Sequence, residues 1–375
     1  MLQKSKIAIV IAALLAVLLG CTGAAGEPGV GIDYIANNGD GTFTIYLTDA
    51  SSYTTDNFTG PQGPQGIQGP QGIEGPQGIQ GPPGPGYNPM QIALLRWYEA
   101  NQAGMTFPVG YFPWSICFDG ANVWVTNRGS NNVTKLRASD GSLVGTYAVG
   151  SSPAGICFDG ANIWVTNENS NDVTKLRASD GSLVGTYAVG EEPRYICFDG
   201  ASIWVVNGLD DNVTKLKASD GSLVGTYSVG LNPYRICFDG ANVWVTNLNS
   251  FDVTKLRASD GSLVGTYDVG SNPFGICFDG DSIWVAKSDD TVTKLKASDG
   301  SLVGTYSVGS YPFGICFDGD SIWVTNYMGN TVSKVKASDG SLVGTYSVGT
   351  RPAGICFDGA NIWVTNAWDD NVSRL

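Results

Sequence analysis

The chain has 375 residues, of which 34 are Asp or Glu and 21 are Lys or Arg, so its formal net charge at pH 7 is -13. This negative charge argues against a phosphate-binding role, and therefore against nucleic acid as a ligand. The chain contains no histidine, the commonest general base and a common metal ligand. Composition thus disfavours an enzyme, and we expect no catalytic residue, metal or cofactor.

Residues 1–20 are predicted to be a lipoprotein signal peptide. Lys4 and Lys6 precede an apolar run from Ile7 to Leu19 that is too short to favour a membrane-spanning helix. Residues 18–21, LLGC, resemble the lipobox of bacterial lipoproteins, which implies that Cys21 becomes the lipidated N-terminus. The alternative is an ordinary secretory signal with a chance cysteine. We expect a lipid anchor in the bacterial cell envelope, at the outer membrane if the bacterium has one, and possible exposure at the surface.

Residues 21–59 are predicted to be a lipid-anchored segment that contains a β-hairpin. Two alternating stretches, the second from Thr42 to Thr48, flank an Asn-Gly-Asp-Gly run at residues 38–41, and such pairs favour tight hairpin turns. The run lacks the distal acidic ligand and the spacing of an EF-hand calcium loop. An isolated hairpin is marginal in water, which favours association between three copies.

Residues 60–86 have glycine at every third position from Gly60 to Gly84. Only glycine fits the crowded axis where three polyproline-type chains wind together, so this period predicts a collagen-like triple helix and a homotrimer. A flexible linker, the alternative, would have no reason to keep the period.

Residues 87–103 are predicted to be a helical linker, with a short helix from Pro89 to Asn101. Ile92, Leu95 and Tyr98 fall at helical spacing. Their apolar face would pack on the following domain or join two partner helices.

Residues 104–375 contain seven copies of a phrase of about 40 residues. In the second copy, Asp-Gly turns separate short runs that predict four strands, labelled a to d in chain order, at residues 154–158, 162–167, 172–178 and 182–188. The pattern predicts an all-β fold, a seven-bladed β-propeller of four-stranded blades. The seventh copy stops before its last strand, and residues 104–110 resemble that strand, so we expect the two ends to close the ring. The copies begin at Tyr111, Ser151, Glu191, Leu231, Ser271, Ser310 and Thr350.

One cysteine and one tryptophan recur at the same place in every copy, which predicts structural roles. Rotational symmetry points equivalent cysteines the same way, so we expect small buried hydrophobes rather than disulfides or a metal ring. Each tryptophan is expected to be buried against a neighbouring blade. The positions are Cys117, Cys157, Cys197, Cys237, Cys277, Cys316 and Cys356, and Trp124, Trp164, Trp204, Trp244, Trp284, Trp323 and Trp363.

The motifs I/V-W-V-T-N, N-x-V-T-K-L and P-x-G-I-x-F-D-G resemble those of YVTN-type and NHL-type bacterial β-propellers. The resemblance covers residues 104–375 and implies the fold. It implies little about function, because that group includes surface-layer proteins, binding modules and a few enzymes. The similar streptogramin lyase branch uses histidine in its site, so its activity is not implied here.

Variation between the copies gathers in two loops, between strands d and a and between strands b and c. An antiparallel meander places both loops on one face, where we predict the ligand-binding residues. Aromatic rings beside guanidinium groups suit a carbohydrate, an acidic peptide or a carboxylate. Neutral divergence after duplication is the alternative. The candidates are Trp114, Arg194, Tyr195, Tyr234, Arg235, Phe274 and Phe313 after the blade prolines, and Phe251, Tyr327 and Trp368 in the b–c loops.

The sequence therefore favours a non-enzymatic cell-surface lipoprotein that displays a ligand-binding or adhesive propeller on a collagen-like trimeric stalk. The partners would be two further copies of the chain, the membrane through the lipid, and a carbohydrate or protein ligand. One alternative is an extracellular propeller hydrolase or lyase with a site at Glu191, Glu192 and Asp211. Another is a purely structural envelope protein.

Overall fold

The computed structural model describes residues 32–39, 42–47, 50–54 and 105–375. The predicted signal peptide, Cys21, the collagen-like tract and the helical linker lie outside the described residues. All regular elements in the described part are β-strands, and no helix there is long and apolar enough to cross a membrane. The chain divides into two compact units within residues 1–82 and 83–375.

The first unit contains a three-stranded antiparallel sheet formed by Ile32–Asn37, Phe43–Leu47 and Ser52–Thr54, in that order. The hairpin between the first two strands lies where the Asn-Gly-Asp-Gly run predicts it. The Asn38 side-chain amide donates hydrogen bonds to the Thr42 and Thr44 hydroxyls at 2.8 and 3.0 Å. Gly39 has a φ of 78°, a conformation that glycine adopts without steric cost. The third strand was not anticipated from the sequence.

The second unit is the predicted seven-bladed β-propeller, with seven four-stranded antiparallel sheets, numbered here as blades 1–7. Strands a of neighbouring blades lie side by side around the centre. Strand a spans Pro113–Phe118, Pro153–Phe158, Pro193–Phe198, Pro233–Phe238, Pro273–Phe278, Pro312–Phe317 and Pro352–Phe357. Strand b spans Asn122–Asn127, Asn162–Asn167, Ser202–Asn207, Asn242–Asn247, Ser282–Lys287, Ser321–Asn326 and Ile362–Asn366.

The outer half of each blade consists of strands c and d. Strand c spans Asn132–Arg137, Asp172–Arg177, Asn212–Lys217, Asp252–Arg257, Thr291–Lys296, Thr331–Lys336 and Asn371–Arg374. Strand d of blades 1–6 spans Leu143–Ala148, Leu183–Ala188, Leu223–Ser228, Leu263–Asp268, Leu302–Ser307 and Leu342–Ser347. In blade 2, Ala178 and Ser182 belong to the c–d turn rather than to strands. The reason is that the Arg177 amide bonds the Ser182 carbonyl at 2.8 Å and closes the turn there.

The ring closes by pairing the two ends of the propeller, as the sequence predicts. Met105–Pro108 is the outer strand of blade 7 and runs antiparallel to Asn371–Arg374. Val372 pairs with Phe107, whose ring packs 5.3 Å from the Trp363 ring. Closure gives the last blade an outer strand that its own repeat lacks and so satisfies the edge of strand c.

Each blade contacts the next through its recurring tryptophan. Trp164 is fully buried and packs with Ile196 and Val205 of blade 3. Its indole Nε1 donates to Asp159 Oδ2 at 2.7 Å, so the Asp of the a–b turn satisfies the buried N–H. The prediction that the recurring tryptophans are buried against neighbouring blades is confirmed.

A buried lysine on strand c completes this contact. The ammonium of Lys175 lies 4.7 Å from the centre of the Trp164 ring and donates to the Ala218 carbonyl of blade 3 at 2.8 Å. The equivalent lysines of blades 1, 3, 4 and 5 make the same cross-blade bond, and Arg374 makes it from blade 7 to blade 1. Lys334 of blade 6 instead has an ion pair with Asp318 of its own blade at 3.7 Å.

At six of the seven blade interfaces, the outer edge depends on a glycine of a c–d turn. Tyr147 of blade 1 packs on Trp124 and covers the Asp-Gly turn of blade 2, where a Cβ on Gly181 would lie 2.0 Å from the tyrosine ring. Gly181 also has a φ of 74°. Glycine is therefore required there both for the turn and for the approach of the neighbouring blade.

The seven propeller cysteines are free thiols on strand a, and their pKa is raised by burial in every case. They are partly rather than fully buried, which corrects the sequence-based expectation. The cysteine is the second-last residue of strand a, where the strand changes from buried to partly buried residues.

We predict an acid-sensitive contribution from the a–b turn aspartates. Burial raises the pKa of Asp159, but hydrogen bonds from Trp164, Ala161 and Asn162 outweigh it and leave the pKa below its ordinary value of 3.8. A lowered folded-state pKa gives stability that is present above the unfolded-state value and is lost as pH falls through the folded-state value. The free energy of unfolding in urea should therefore fall below about pH 4.

The variant Asp159→Asn should lower the free energy of unfolding at pH 7 by about 1–3 kcal/mol and show a smaller acid-dependent decline. The matched control is Asp281→Asn, because Asp281 is exposed and its carboxylate bonds the neighbouring Ser282 hydroxyl. Equal effects of the two substitutions at pH 7 would contradict the role assigned to Asp159.

Candidate functional site

The variable loops of all seven blades lie on one side of the propeller, here called the loop face. In blade 3 the Gly208 amide of the b–c loop donates to the Glu192 carbonyl of the preceding d–a loop at 2.9 Å. The equivalent backbone bond joins the two loops in every blade. The nearly invariant Asp-Gly turns lie at the opposite ends of the strands, so sequence differences between blades are concentrated on the loop face.

Five predicted site residues pack together at the centre of this face and are here called the aromatic plug: Trp114, Tyr195, Tyr234, Phe274 and Phe313. The Phe313 ring of blade 6 lies 5.2 Å from that of Trp114 in blade 1 and 5.8 Å from that of Tyr234 in blade 4. Side chains from non-neighbouring blades can meet only across the central channel. The plug therefore spans the channel at the loop face.

The plug fits because other blades carry small residues at the same height. Ala154 and Ala353 replace the aromatic residue in blades 2 and 7 and are buried in the same cluster. At the next position of blade 2, a Cβ on Gly155 would lie 2.6 Å from the Arg194 carbonyl oxygen. Close approach of neighbouring strands a thus limits bulk in most blades, and the channel is spanned by the few large side chains.

Two arginines at the edge of the plug have carboxylate partners. Arg128 pairs with Glu168, and its guanidinium lies 5.0 Å from the centre of the Trp114 ring. Arg194 pairs with Glu192 at 3.0 Å and lies 5.4 Å from the centre of the Tyr234 ring. Both positive charges are balanced within the protein.

Arg235 differs from these two arginines. It is buried, donates from Nη2 to the Tyr195 hydroxyl at 2.6 Å and packs 4.0 Å from the Tyr195 ring centre. Burial raises the pKa of the Tyr195 phenol, so that hydroxyl stays neutral. Among the described residues, no carboxylate forms an ion pair with Arg235.

Two shallow pockets lie on the loop face. A pocket of about 650 Å³ between blades 2 and 3 is lined by acidic and amide side chains, with Leu209 and Arg128 at its edge. A second pocket of about 580 Å³ lies between blades 4 and 5, beside Phe251. The first carries three carboxylates, of which Glu168 pairs with Arg128 and Glu192 pairs with Arg194, so Glu191 leaves this pocket with a net negative charge.

The second pocket coincides with a break in the repeat. The last residue of the b–c loop is Asn or Asp in the other six blades, and its side chain accepts a bond from the next d–a loop, as Asn171 does from the Glu192 amide at 3.1 Å. Phe251 stands there in blade 4 with a φ of 58° and cannot accept that bond. Its ring is 46% exposed. A bulky residue in this left-handed conformation is strained.

A third exposed feature is a stack on blades 6 and 7. The Arg351 guanidinium lies 5.0 Å from the centre of the Tyr327 ring and 4.9 Å from that of Trp368, whose side chain is 61% exposed. Arg351 was not among the predicted residues. It directly precedes the proline of strand a, in the same variable loop that supplied other candidates, and that position was the signal available in the sequence.

The structure thus separates the ten predicted residues into two groups. Trp114, Tyr195, Arg235, Phe274 and Phe313 are buried, with Arg194 and Tyr234 partly buried beside them. Phe251 and Trp368 are exposed, and Tyr327 lies between these extremes. The first group spans the channel mouth. Phe251 and Trp368 form separate features on the loop face, and Tyr327 joins the Arg351 stack to the plug, because its ring lies 5.3 Å from that of Phe313.

The acidic trio considered for catalysis is not assembled into a cation site. Asp211 Oδ1 accepts a hydrogen bond from the backbone N–H of Asn232 at 2.7 Å, and Glu192 forms an ion pair with Arg194. Across the described parts of the chain, no group of three or more Cys, Asp or Glu side chains is placed to hold a metal ion.

The fold is similar to that of solved β-propeller proteins. Hydrazine synthase of Kuenenia stuttgartiensis is 18% identical over 70% of this chain and 95% of that one, with a TM-score of 0.64. A streptogramin B lyase is 21% identical over 72% of this chain and 96% of that one, with a TM-score of 0.63. At these identities the likeness establishes the fold alone. No family model and no curated protein matches the chain.

We predict that truncation within the plug and truncation on the exposed loop face have different costs. Phe313→Ala removes a ring that contacts four other aromatic rings, so it should lower the free energy of unfolding by about 3–5 kcal/mol. Phe251→Ala removes an exposed, strained residue and should change it by less than about 0.5 kcal/mol or raise it. Urea unfolding of both variants checks this, and similar losses would refute the division into two groups.

Proposed function

We propose that the protein is a non-enzymatic, lipid-anchored binding protein of the bacterial cell envelope, which displays its propeller on a collagen-like trimeric stalk. The supporting features of the N-terminal part are the lipobox-like residues 18–21 and the Gly-X-Y period of residues 60–86. The propeller supplies a rigid support for a face on which the blades differ from one another.

The observation that carries the proposal is the concentration of unlike, exposed side chains on the loop face. Phe251 has a strained backbone conformation and cannot make the hydrogen bond that Asn or Asp makes at this position in the other blades. The residue is exposed beside a pocket. Trp368 has a largely exposed indole, and the Arg351 guanidinium packs against that ring. Exposed rings on a rigid scaffold are typical contact residues for ligands.

The ligand class that fits these features is carbohydrate or protein. Flat aromatic rings beside shallow polar pockets suit stacking against sugar rings or aromatic side chains. The net negative charge of the pocket between blades 2 and 3 opposes polyanions. Three heads on one stalk would raise apparent affinity without any new contact, because the second and third binding events become intramolecular.

A second candidate, a structural envelope protein, is favoured by the outer rim of the ring. Strand d of blades 1–6 presents an exposed Leu-Val pair in every blade, such as Leu223 and Val224. Edge strands with exposed apolar side chains favour association with further copies. This candidate requires assembly through strand d rather than a ligand on the loop face.

The two candidates are separated by binding arrays of glycans and matrix proteins, probed with the stalked protein and with a version lacking residues 27–86. We expect the stalked form to sediment as a trimer and to retain ligand at least 10-fold better than the unstalked form. Trp368→Ala and Phe251→Ala should weaken binding, and the rim variant Leu223→Ser should not. Equal retention by both forms, or no binding by either, would overturn the adhesive proposal. Concentration-dependent growth of particles that Leu223→Ser reduces would favour the structural candidate.

A further inference from the structure

Arg235 occupies a position that the propeller fold does not require to be large or charged. It is the second residue after the blade proline, where blades 2, 5, 6 and 7 have glycine and blade 1 has Ser115. Those five blades form the same strand a without such a side chain. The arginine is therefore an addition to the repeat rather than part of its architecture.

Contacts place the Arg235 guanidinium inside the channel mouth. It packs 4.0 Å from the ring centre of Tyr195 in blade 3 and 5.2 Å from that of Phe313 in blade 6. A side chain of blade 4 that reaches blade 6 must cross the channel. The guanidinium thus lies at the centre of the loop face, within the aromatic plug.

The positive charge of Arg235 is not balanced by the described residues. Arg128 and Arg194 each have a carboxylate partner, but Arg235 has only the neutral Tyr195 hydroxyl. Its side chain is only 8% exposed, and its buried Nε–H has no hydrogen-bond acceptor. An uncompensated buried charge is strongly unfavourable.

We propose that Arg235 lies at the bottom of an anion-binding site in the channel mouth and binds one carboxylate of the ligand. This inference rests on the proposed function and names the chemistry of the same face. A carboxylate supplies the missing negative charge and can accept hydrogen bonds from the terminal guanidinium N–H groups that do not bond Tyr195. The rings of Tyr195 and Phe313 hold the guanidinium in place, so little ordering is needed when the anion binds.

The surroundings favour a single carboxylate over a phosphate or a polyanion. Glu191 gives the pocket between blades 2 and 3 a net negative charge, and the whole chain is strongly acidic. A ligand with several negative charges would meet repulsion from this negative charge. One carboxylate on an otherwise neutral or sugar-like ligand satisfies Arg235 and limits that repulsion. Free carboxylic acids and uronic-acid sugars share this chemistry.

The test uses the full chain with Cys21→Ser, titrated with sodium acetate, sodium glucuronate and glucose at constant ionic strength and constant chloride. Isothermal calorimetry and thermal unfolding report binding. We expect saturable stabilisation by glucuronate, none by glucose, and at least a 10-fold loss of glucuronate affinity in Arg235→Met. The control Arg137→Met, at an exposed c–d turn, should bind as the parent does. Acetate binding equal to glucuronate binding would identify a site for free carboxylates, whereas tighter glucuronate binding would identify a sugar acid.

A second readout separates a ligand site from a packing role. In the absence of added carboxylate, Arg235→Met should unfold at the same or a higher temperature than the parent, because it removes an unpaired buried charge. Added glucuronate should then raise the unfolding temperature of the parent alone. No stabilisation of the parent, or equal stabilisation of parent and variant, would overturn the anion site. Neutral glycans that still bind through Trp368 in Arg235→Met would leave the proposed function standing.

Discussion

The cross-blade contact of a buried tryptophan and lysine is the interaction on which the rest of the structure depends. A single blade cannot bury both faces of its sheet, so each Trp must be covered by the next blade. The lysine ammonium over that ring reaches a backbone carbonyl of the same neighbour, as Lys215 does to Ala258 at 2.6 Å. Because this contact is made between neighbours only, the ring gains its full stability when the last blade meets the first, through Arg374 and the Ala138 carbonyl.

This constraint explains how the loop face can vary. The Asp, Trp, Lys and Gly of each repeat are engaged at the interfaces and turns, and any change there affects two blades. The d–a and b–c loops are tied to each other by backbone bonds, so their side chains are free to differ. The plug spans the channel mouth with large residues from five blades, while Phe251 and Trp368 remain exposed. The turns that barely differ between blades and the loops that do differ thus lie at opposite ends of the same strands.

Much of the fold could be predicted because the same pattern of strands and turns recurs in seven copies. Strand order follows from the Asp-Gly turns. Closure follows because the seventh copy lacks a strand that residues 105–108, at the start of the propeller, resemble. Lys175 and its equivalents were missed, because a lysine within a strand is typical of a solvated face and its burial depends on the neighbouring blade. The candidate residues near the channel were found by position, but their separation into buried and exposed groups was not. Tyr234 of blade 4 and Phe313 of blade 6 meet across the channel, and that contact depends on the arrangement of the blades, which local sequence does not encode. The unpaired charge of Arg235 is visible only once its neighbours are known.

The most direct test of the cross-blade contact compares a lysine that bonds the next blade with an equivalent lysine that does not. Lys215 bonds the next blade, whereas Lys334 lies over its tryptophan at a similar distance and pairs within its own blade. Methionine keeps the apolar stem at either position. In urea unfolding at pH 7, Lys215→Met should lower the free energy of unfolding by about 1–3 kcal/mol, and Lys334→Met by clearly less. Equal losses, or no loss for Lys215→Met, would contradict the account of how the ring is held together.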